Sequence, residues 1–499
     1  MKNIILFKSH NDNEYLYNTF SKGLYLLDTI TSFLAVEMER GRDIDIINTE
    51  FVFEKFQLII DEKELLSYKN KIKYYFIGYD KSKIFDSQFV SDASVNDIYH
   101  CLANRPQIVF EVTEQCNLQC KYCAFGDYYT SYESRIGKDL SIDSAIALIK
   151  CIYDICQSDY CKTLNNIINI GFYGGEPLLR FDFIQEIVSY TQALNNDKIS
   201  FRYSMTTNCI LLDRYADFLQ TQEFSLLLSL DGDSKNNEYR VYKNGGKTFD
   251  KIYNNIKSLQ NTYPEYFKKH VRFNAVLHNK NSISEILSFF NRHFEKDPLI
   301  SEISTDGRLS EENENEFFTM FKSRHDSFNE LKAPTSIYQQ NPFFQKTLNF
   351  ILHSTNLVYV DYSFLNAGAN RPIKPTGTCI PFFRKIFVNA AGNVLQCERI
   401  SHQYFIDKIK DENYKINVER IVKQFNSRIK KMKKFCSKCY LASNCPTCIY
   451  TFSSLRNNSI TCNYYTNKEA FAIYISEIVS FIEDNPQVFK DIIYDINVA

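Results

Sequence analysis

From Gln107 onward, short apolar runs alternate with longer stretches in which apolar residues recur every three or four positions. The short runs predict strands at Ile108–Val112, Ile167–Phe172, Ile199–Met205, Ser225–Leu230 and Val271–Leu277, with a weaker sixth at Ile300–Ser304. The stretches between them predict helices. Ser141 is placed to cap one whose inner face carries Ile142, Ala145, Ile149, Ile152 and Tyr153, and Phe249–Leu259 and Ile283–Phe294 show the same periodicity. Repeated βα units bury one face of each helix on a parallel sheet. The pattern therefore predicts an α/β fold whose sheet is wound or closed into a partial barrel, with ligands at the C-terminal ends of its strands.

The flanks read differently. Residues 1–100 predict a small module: a hairpin in which Tyr15–Asn18 and Leu24–Leu27 flank Ser21-Lys22-Gly23, then helical patterns at Ser32–Arg40 and around Val52–Tyr75. The core spans 101–307, and 308–372 reads as a bridge, with an acidic patch (Glu311-Glu312-Asn313-Glu314) followed by helical segments. Residues 373–465 are rich in cysteine and poor in long periodic elements, as a small metal-stabilised domain would be. Within 466–499 a helix is expected over Asn467–Glu483.

Composition narrows the classes. A chain of 499 residues, 44% hydrophobic and 23% charged, supports about three units with proper cores. Its 58 Lys and Arg against 59 Asp and Glu make no electrostatic case for nucleic acid or an anionic membrane as the main partner. No run approaches the roughly 20 apolar residues that span a bilayer, and Ile4–Phe7 is too short for a signal-peptide core. The expected location is the cytoplasm, where thiols stay reduced, so the 15 cysteines need a role other than disulfides.

Three of them follow the first predicted strand: Cys116, Cys120 and Cys123, spaced C-x3-C-x2-C. Thiolate sulfur suits iron–sulfur clusters and zinc. A four-iron cube normally takes four cysteines, so three would leave one iron open for chemistry. A zinc site completed by a distant ligand is the alternative reading of the spacing. The position, at the C-terminal end of a barrel strand, is where active sites belong.

The triplet, with Tyr122 before its third cysteine, resembles the signature of the radical S-adenosylmethionine (radical SAM) superfamily. The resemblance implies that the open iron chelates S-adenosylmethionine, that one electron cleaves it, and that the 5′-deoxyadenosyl radical abstracts a substrate hydrogen. It places Tyr122 near the adenine. Gly174-Gly175-Glu176-Pro177, after the second predicted strand, is similar to the superfamily's GGEP motif, which binds the methionyl amine. Asn208, in Thr206-Thr207-Asn208 at the end of the third, matches a Thr-Asn pair of relatives. Ser229 ends the fourth, with Arg240 beyond it, and the resemblance puts these two at the ribose and methionyl carboxylate. A planar guanidinium suits a carboxylate bidentately.

Seven further cysteines, Cys379, Cys397, Cys436, Cys439, Cys445, Cys448 and Cys462, contain two C-x2-C pairs that by themselves would read as a zinc ribbon. The whole set resembles the SPASM extension of radical SAM enzymes, with Gly392–Cys397 fitting its G-x4-C element. One departure is that Cys445 and Cys448 are separated by two residues rather than three. The resemblance implies two auxiliary 4Fe–4S clusters in addition to the catalytic one: an outer one on Cys436, Cys439, Cys445 and Cys462, and an inner one on Cys379, Cys397 and Cys448. Cys101, Cys151, Cys156, Cys161 and Cys209 receive no function. Glu398 stands where sulfatase-maturing relatives carry a catalytic Asp, but the longer Glu reads better as a solvated or structural residue and is given no role in the site.

Extension-bearing relatives include maturases of ribosomally made peptides, several of which begin with a winged-helix-like module that grips a leader peptide by strand addition. Residues 1–100 resemble that module in size and order. The leading expectation is a peptide maturase forming a thioether or carbon–carbon crosslink, with a leader-bearing precursor peptide and a reducing electron donor as partners. The competitors are a sulfatase-maturing enzyme that makes formylglycine and a non-catalytic, zinc-stabilised binding protein.

Overall fold

The computed structural model describes residues 3–77, 92–126, 128–129, 135–304, 313–329, 342–355, 376–442, 445–452, 462 and 464–498. The N-terminal region opens with a three-stranded antiparallel sheet of β1 (Ile4–Lys8), β2 (Glu14–Asn18) and β3 (Gly23–Leu27), in that order. The hairpin is the predicted one, whereas β1 escapes the alternation rule because both its faces are covered. Ile4 packs with Leu16 and Leu34 on one side; Ile5 and Phe7 pack with Tyr17, Phe471 and Ile475 on the other. The helical pattern around Val52–Tyr75 resolves into two helices, Thr49–Phe56 and Glu62–Tyr75. Gln57 closes the first in the left-handed conformation, and Asp61 caps the second through a reciprocal bond with Glu64.

Six parallel strands form the core: β4 (Gln107–Thr113), β5 (Asn166–Gly174), β6 (Ile199–Thr207), β7 (Ser225–Ser229), β8 (Val271–Leu277) and β9 (Leu299–Glu302), each hydrogen-bonded to the next. Helices Ile142–Cys156, Phe181–Ala193, Leu212–Thr221, Phe249–Thr262 and Ile283–Phe294 connect them. Ser141 caps the first of these by accepting from the Ser144 amide, and Cys151 and Cys156 are buried core residues within it. β4 is buried along nearly its whole length, as a parallel strand covered on both faces must be.

The cysteine-rich region is continuous with this sheet. β10 (Ile386–Val388) pairs parallel with β4, and β11 (Asn393–Leu395) and β12 (Asp407–Lys408) extend the sheet antiparallel, so its order is β12-β11-β10-β4-β5-β6-β7-β8-β9. The expectation that this region lacks long periodic elements is corrected by a 19-residue helix, Val418–Cys436. Its stripe of Ile421, Phe425, Ile429 and Met432 is regular, but sits in a Lys- and Arg-rich background that hides it in the sequence. Of the segment expected to bridge, 308–312, 330–341 and 356–372 lie outside the described residues; helices Glu314–Met320, Arg324–Asn329 and Pro342–Ser354 lie within it. The expected late helix is Lys468–Asp484, and Pro486–Val498 follows. Among the described residues no helix is long and apolar enough to cross a membrane.

Candidate active site

The loop leaving β4 carries Cys116, Cys120 and Cys123, and is fixed from two sides. The segment after β7 holds it by backbone bonds: Gln119 N donates to Val241 O at 2.8 Å and Lys121 N to Tyr239 O at 2.9 Å. The end of β5 holds it from the other: Gly175 N donates to Thr113 O and Glu176 N to Gln115 O, both at 2.9 Å. The two glycines are a steric requirement. A Cβ on Gly175 would lie 2.0 Å from the Gln115 carbonyl oxygen, and Gly174, at φ +136°, would place one 2.5 Å from that of Thr113.

Cys116, Cys120, Cys123, Gly174 and Gly175 line one cavity of about 580 Å³, with Arg135, Lys243 and Glu114 on its wall. Burial pushes the Cys120 thiol up to about 12; Arg240 opposes this, and Cys123 and Cys116 add to it. Such a thiol ionises when a metal takes the sulfur. Among the described residues no three His, Cys, Asp or Glu side chains converge at single-ion distance. A four-iron cube asks for a wider arrangement, with one thiolate on each of three irons. Three soft donors around a glycine-walled cavity at the end of a barrel strand suit that group.

The remaining residues expected at the cofactor stand behind this wall. Glu176 is fully buried: Leu178 N and Thr207 Oγ1 donate to its Oε1 at 3.1 and 2.8 Å, and Asn208 N donates to its Oε2 at 2.8 Å. Its carboxylate thus joins β5 to the end of β6. Burial raises its pKa to about 7 against the pull of these three donors. Asn208 donates from Nδ2 to Asn117 Oδ1 at 2.7 Å, tying β6 to the cysteine loop. Ser229 is buried at the end of β7. Arg240 is buried and bonds Asp231 with both arms of its fork, and the Tyr122 hydroxyl donates to the same carboxylate. Both residues therefore face an internal anion in this structure.

Motif reading left out four residues that the fold brings here. Asp231 also accepts from Val276 N at 2.9 Å. His278 is buried and stacks on Tyr122, ring centroids 6.0 Å apart. Glu111, buried in β4, accepts from Arg135 Nη2 at 2.6 Å, and the Arg135 guanidinium lies 3.4 Å over the Phe125 ring. For Asp231 alone a signal was available: it sits within the Ser229-Leu230-Asp231-Gly232 motif.

None of the seven later cysteines lines that cavity. Cys436, Cys439, Cys445 and Cys462 lie close enough that their charges act on one another. Burial is the larger cause, and takes Cys436 up to about 12. The segments bearing Cys379, Cys397 and Cys448 are stitched together: Gly377 N donates to Thr447 O at 2.9 Å, Ile449 N to Thr378 Oγ1 at 2.8 Å, and Gln396 Nε2 to Cys379 O at 3.5 Å. Glu398 accepts from Lys385 at 3.1 Å.

The Radical SAM superfamily matches residues 110–292, the stretch from β4 to the helix before β9. The radical SAM cyclopropyl synthase TigE of Paramaledivibacter caminithermalis is 29% identical over 173 residues, covering 33% of this chain and 34% of that protein. The cysteine-type anaerobic sulfatase-maturating enzyme of Clostridium novyi is 27% identical over 162 residues, covering 32% of this chain and 41% of that protein. The chain thus spans about a third to two fifths of the length of these curated relatives. The solved structure of native anSMEcpe with bound AdoMet shares the fold, with a TM-score of 0.52 at 15% identity over 78% of this chain and 99% of that one. A second, with bound AdoMet and Cp18Cys peptide, gives 0.51 at 16% identity over 79% of this chain and 100% of that one. Residues 110–292, with the C-x3-C-x2-C loop among them, are thus a radical SAM domain.

Proposed function

We propose that the protein is a radical SAM peptide maturase that forms a thioether or carbon–carbon crosslink in a ribosomally made precursor. The carrying observation is the cavity at the end of the parallel barrel that gathers Cys116, Cys120, Cys123, Gly174 and Gly175. The three thiolates would hold a 4Fe–4S cluster, which supplies, with S-adenosylmethionine bound, a radical able to take a substrate hydrogen. The chain's own part is to fix that loop: Gly174 and Gly175 let β5 close on it, Asn208 ties it to β6, and Asp231 holds Tyr122 and Arg240 beneath it. The resemblance assigns the ribose and methionyl carboxylate of the cofactor to Ser229 and Arg240; both are buried behind the cavity wall, and Arg240 would have to exchange its bonds to Asp231 to reach that carboxylate. Cys436, Cys439, Cys445 and Cys462 would hold an outer auxiliary cluster, and Cys379, Cys397 and Cys448 an inner one.

Two observations support a peptide substrate. One relative of the fold is described with a bound peptide. The N-terminal sheet also has two unlike edges. At the β1 end, Lys8 O accepts from Ser476 Oγ at 2.5 Å and Ser480 Oγ accepts from His10 N at 3.0 Å, so the helix Lys468–Asp484 occupies that side. Among the described residues β3 is the opposite edge, carries Tyr25 stacked on Tyr75 at 3.8 Å, and would offer the leader a strand to pair with. The expectation that the cyclopropyl synthase relative adds is a carbon–carbon product.

Product mass tests this reading. Co-expression with a short precursor encoded nearby should give a peptide lighter by two hydrogens that retains its sulfur. Loss of the sulfur from a cysteine, leaving an aldehyde, would replace crosslinking by formylglycine formation, the second reading, which the sulfatase-maturating relative favours.

A further inference from the structure

The chain is nearly neutral, with 59 Asp and Glu in 499 residues, yet no Asp or Glu occurs from Arg420 to Lys468. That carboxylate-free stretch contains the last five cysteines and most of the long helix Val418–Cys436. The helix buries Ile421, Phe425, Ile429, Met432 and Cys436 along one stripe. On the other side, Lys423, Lys430, Lys431 and Lys434 are exposed, and Lys438, just beyond the helix end, is exposed too.

Helix stability does not account for this pattern. One or two cations in a last turn complement the helix dipole. Lys430 with Lys434 and Lys431 with Lys434 are like-charge pairs at spacings that repel and cost stability. Nor do these lysines sit in the cavity near the first cysteine loop. Their shared property is location. From Lys430 to Cys436 is six residues, about 9 Å along a helix axis, and Lys438 directly precedes Cys439, so the cationic face runs, on the outer side of the helix, to the end that bears these cysteines. Tyr465, partly exposed, donates its hydroxyl to the Lys438 carbonyl at 3.2 Å and gives the face an aromatic margin.

We infer that the face formed by Lys430, Lys431, Lys434 and Lys438 docks a small acidic one-electron carrier protein beside the Cys436–Cys462 group. The inference rests on the function proposed above: each cleavage of S-adenosylmethionine takes one electron, which the reduced carrier supplies and is thereby oxidised, and closure of the crosslink from the substrate radical releases one proton and one electron, which the oxidised carrier takes back. A cationic rim near four cysteines that would hold an auxiliary cluster steers an acidic partner to that end by charge, with an on-rate and affinity that salt weakens. Nucleic acid is the less favoured occupant, since the patch is a single helix face beside the thiol group, not a groove that tracks a backbone.

The test uses the full-length, cluster-reconstituted protein, with a plant-type [2Fe–2S] ferredoxin as the acidic probe, titrated by calorimetry at low and high salt. Wild type should bind it, and the affinity should fall about tenfold or more with added salt. The K430E/K431E/K434E/K438E variant should bind at least about tenfold more weakly at low salt, and K430Q/K431Q/K434Q/K438Q should fall between them. The glutamine variant also keeps the comparison open should charge reversal impair folding, which iron content and melting temperature report. Ferredoxin-driven formation of 5′-deoxyadenosine should drop in parallel while the dithionite-driven rate stays at the wild-type level. Absent or salt-independent binding by wild type, equal binding by both variants, or preference for duplex DNA over ferredoxin would overturn the inference. Failure of dithionite-driven cleavage in wild type would instead strike the proposed function, which the binding measurement does not depend on.

Discussion

Arg240 lays its guanidinium along the carboxylate of Asp231, Nε to Oδ2 and Nη2 to Oδ1 both at 3.1 Å, with Asp231 wholly buried. Tyr122, the residue before Cys123, donates to the same carboxylate. A charge pair from β7 and its following loop therefore holds the cysteine loop from below. Removing one partner of a buried pair leaves the other charge uncompensated, which costs about 3–5 kcal/mol. Asp231→Asn is expected to lose stability on that scale in chemical denaturation. Tyr122→Phe, which removes one hydrogen bond, should lose only about 1 kcal/mol. Equal, small losses in both would show that the pair does not hold the loop.

Gly175→Ala tests the close approach of β5. The added carbon would meet the Gln115 carbonyl at 2.0 Å and the Cys116 N at 3.0 Å, so the cysteine loop must shift, whereas the later cysteines stand on other segments. Reconstituted protein should lose about four irons per chain, one cubane, and keep the rest. Full iron content in Gly175→Ala would contradict the placement of the first cluster.

Glu176 makes stability depend on pH. Burial raises its folded pKa from 4.5 to about 7. The native state therefore holds a proton that the unfolded state has released between these values, so stability falls as pH rises from about 4.5 to 7 and is flat above. Glu176→Gln should remove that slope in unfolding curves measured across the range. The variant retains an acceptor oxygen for Thr207 and Leu178 but places an amide against the Asn208 N–H, so its stability at low pH should also drop by about 1–3 kcal/mol.

The N-terminal sheet is bound into the fold through its second face. Ile475 is fully buried against Ile5, Phe7 and Tyr17, and the Tyr17 hydroxyl donates to Ser354 O at 2.5 Å. Ile475→Ala should cost about 2–5 kcal/mol. A fragment ending after Tyr75 should expose these residues and aggregate, so leader binding is best measured on the full chain. A monomeric, well-folded fragment would contradict this packing.

The core was legible in the sequence because parallel strands buried on both faces and helices buried on one leave clean periodicities: Ile283–Phe294 and Val271–Leu277 coincide with the predicted elements. β1 was not, since its Ile4-Ile5-Leu6-Phe7 run serves two cores and so does not alternate. The helix Val418–Cys436 was obscured by its lysines, and β10 by its length of three residues. Within the site, spacing named the cavity-lining cysteines and glycines. It did not reveal that Tyr122 and Arg240 meet at Asp231, because that contact depends on how β7 and the cysteine loop come together in space.

The central claim is tested most directly by anaerobic purification and cluster reconstitution, with iron and sulfide counts and an assay for 5′-deoxyadenosine under dithionite. The account predicts about twelve irons per chain, four per cubane, with 5′-deoxyadenosine formed from S-adenosylmethionine. Zinc in place of iron, with S-adenosylmethionine left intact, would contradict it and point to a protein whose cysteines only stabilise its fold.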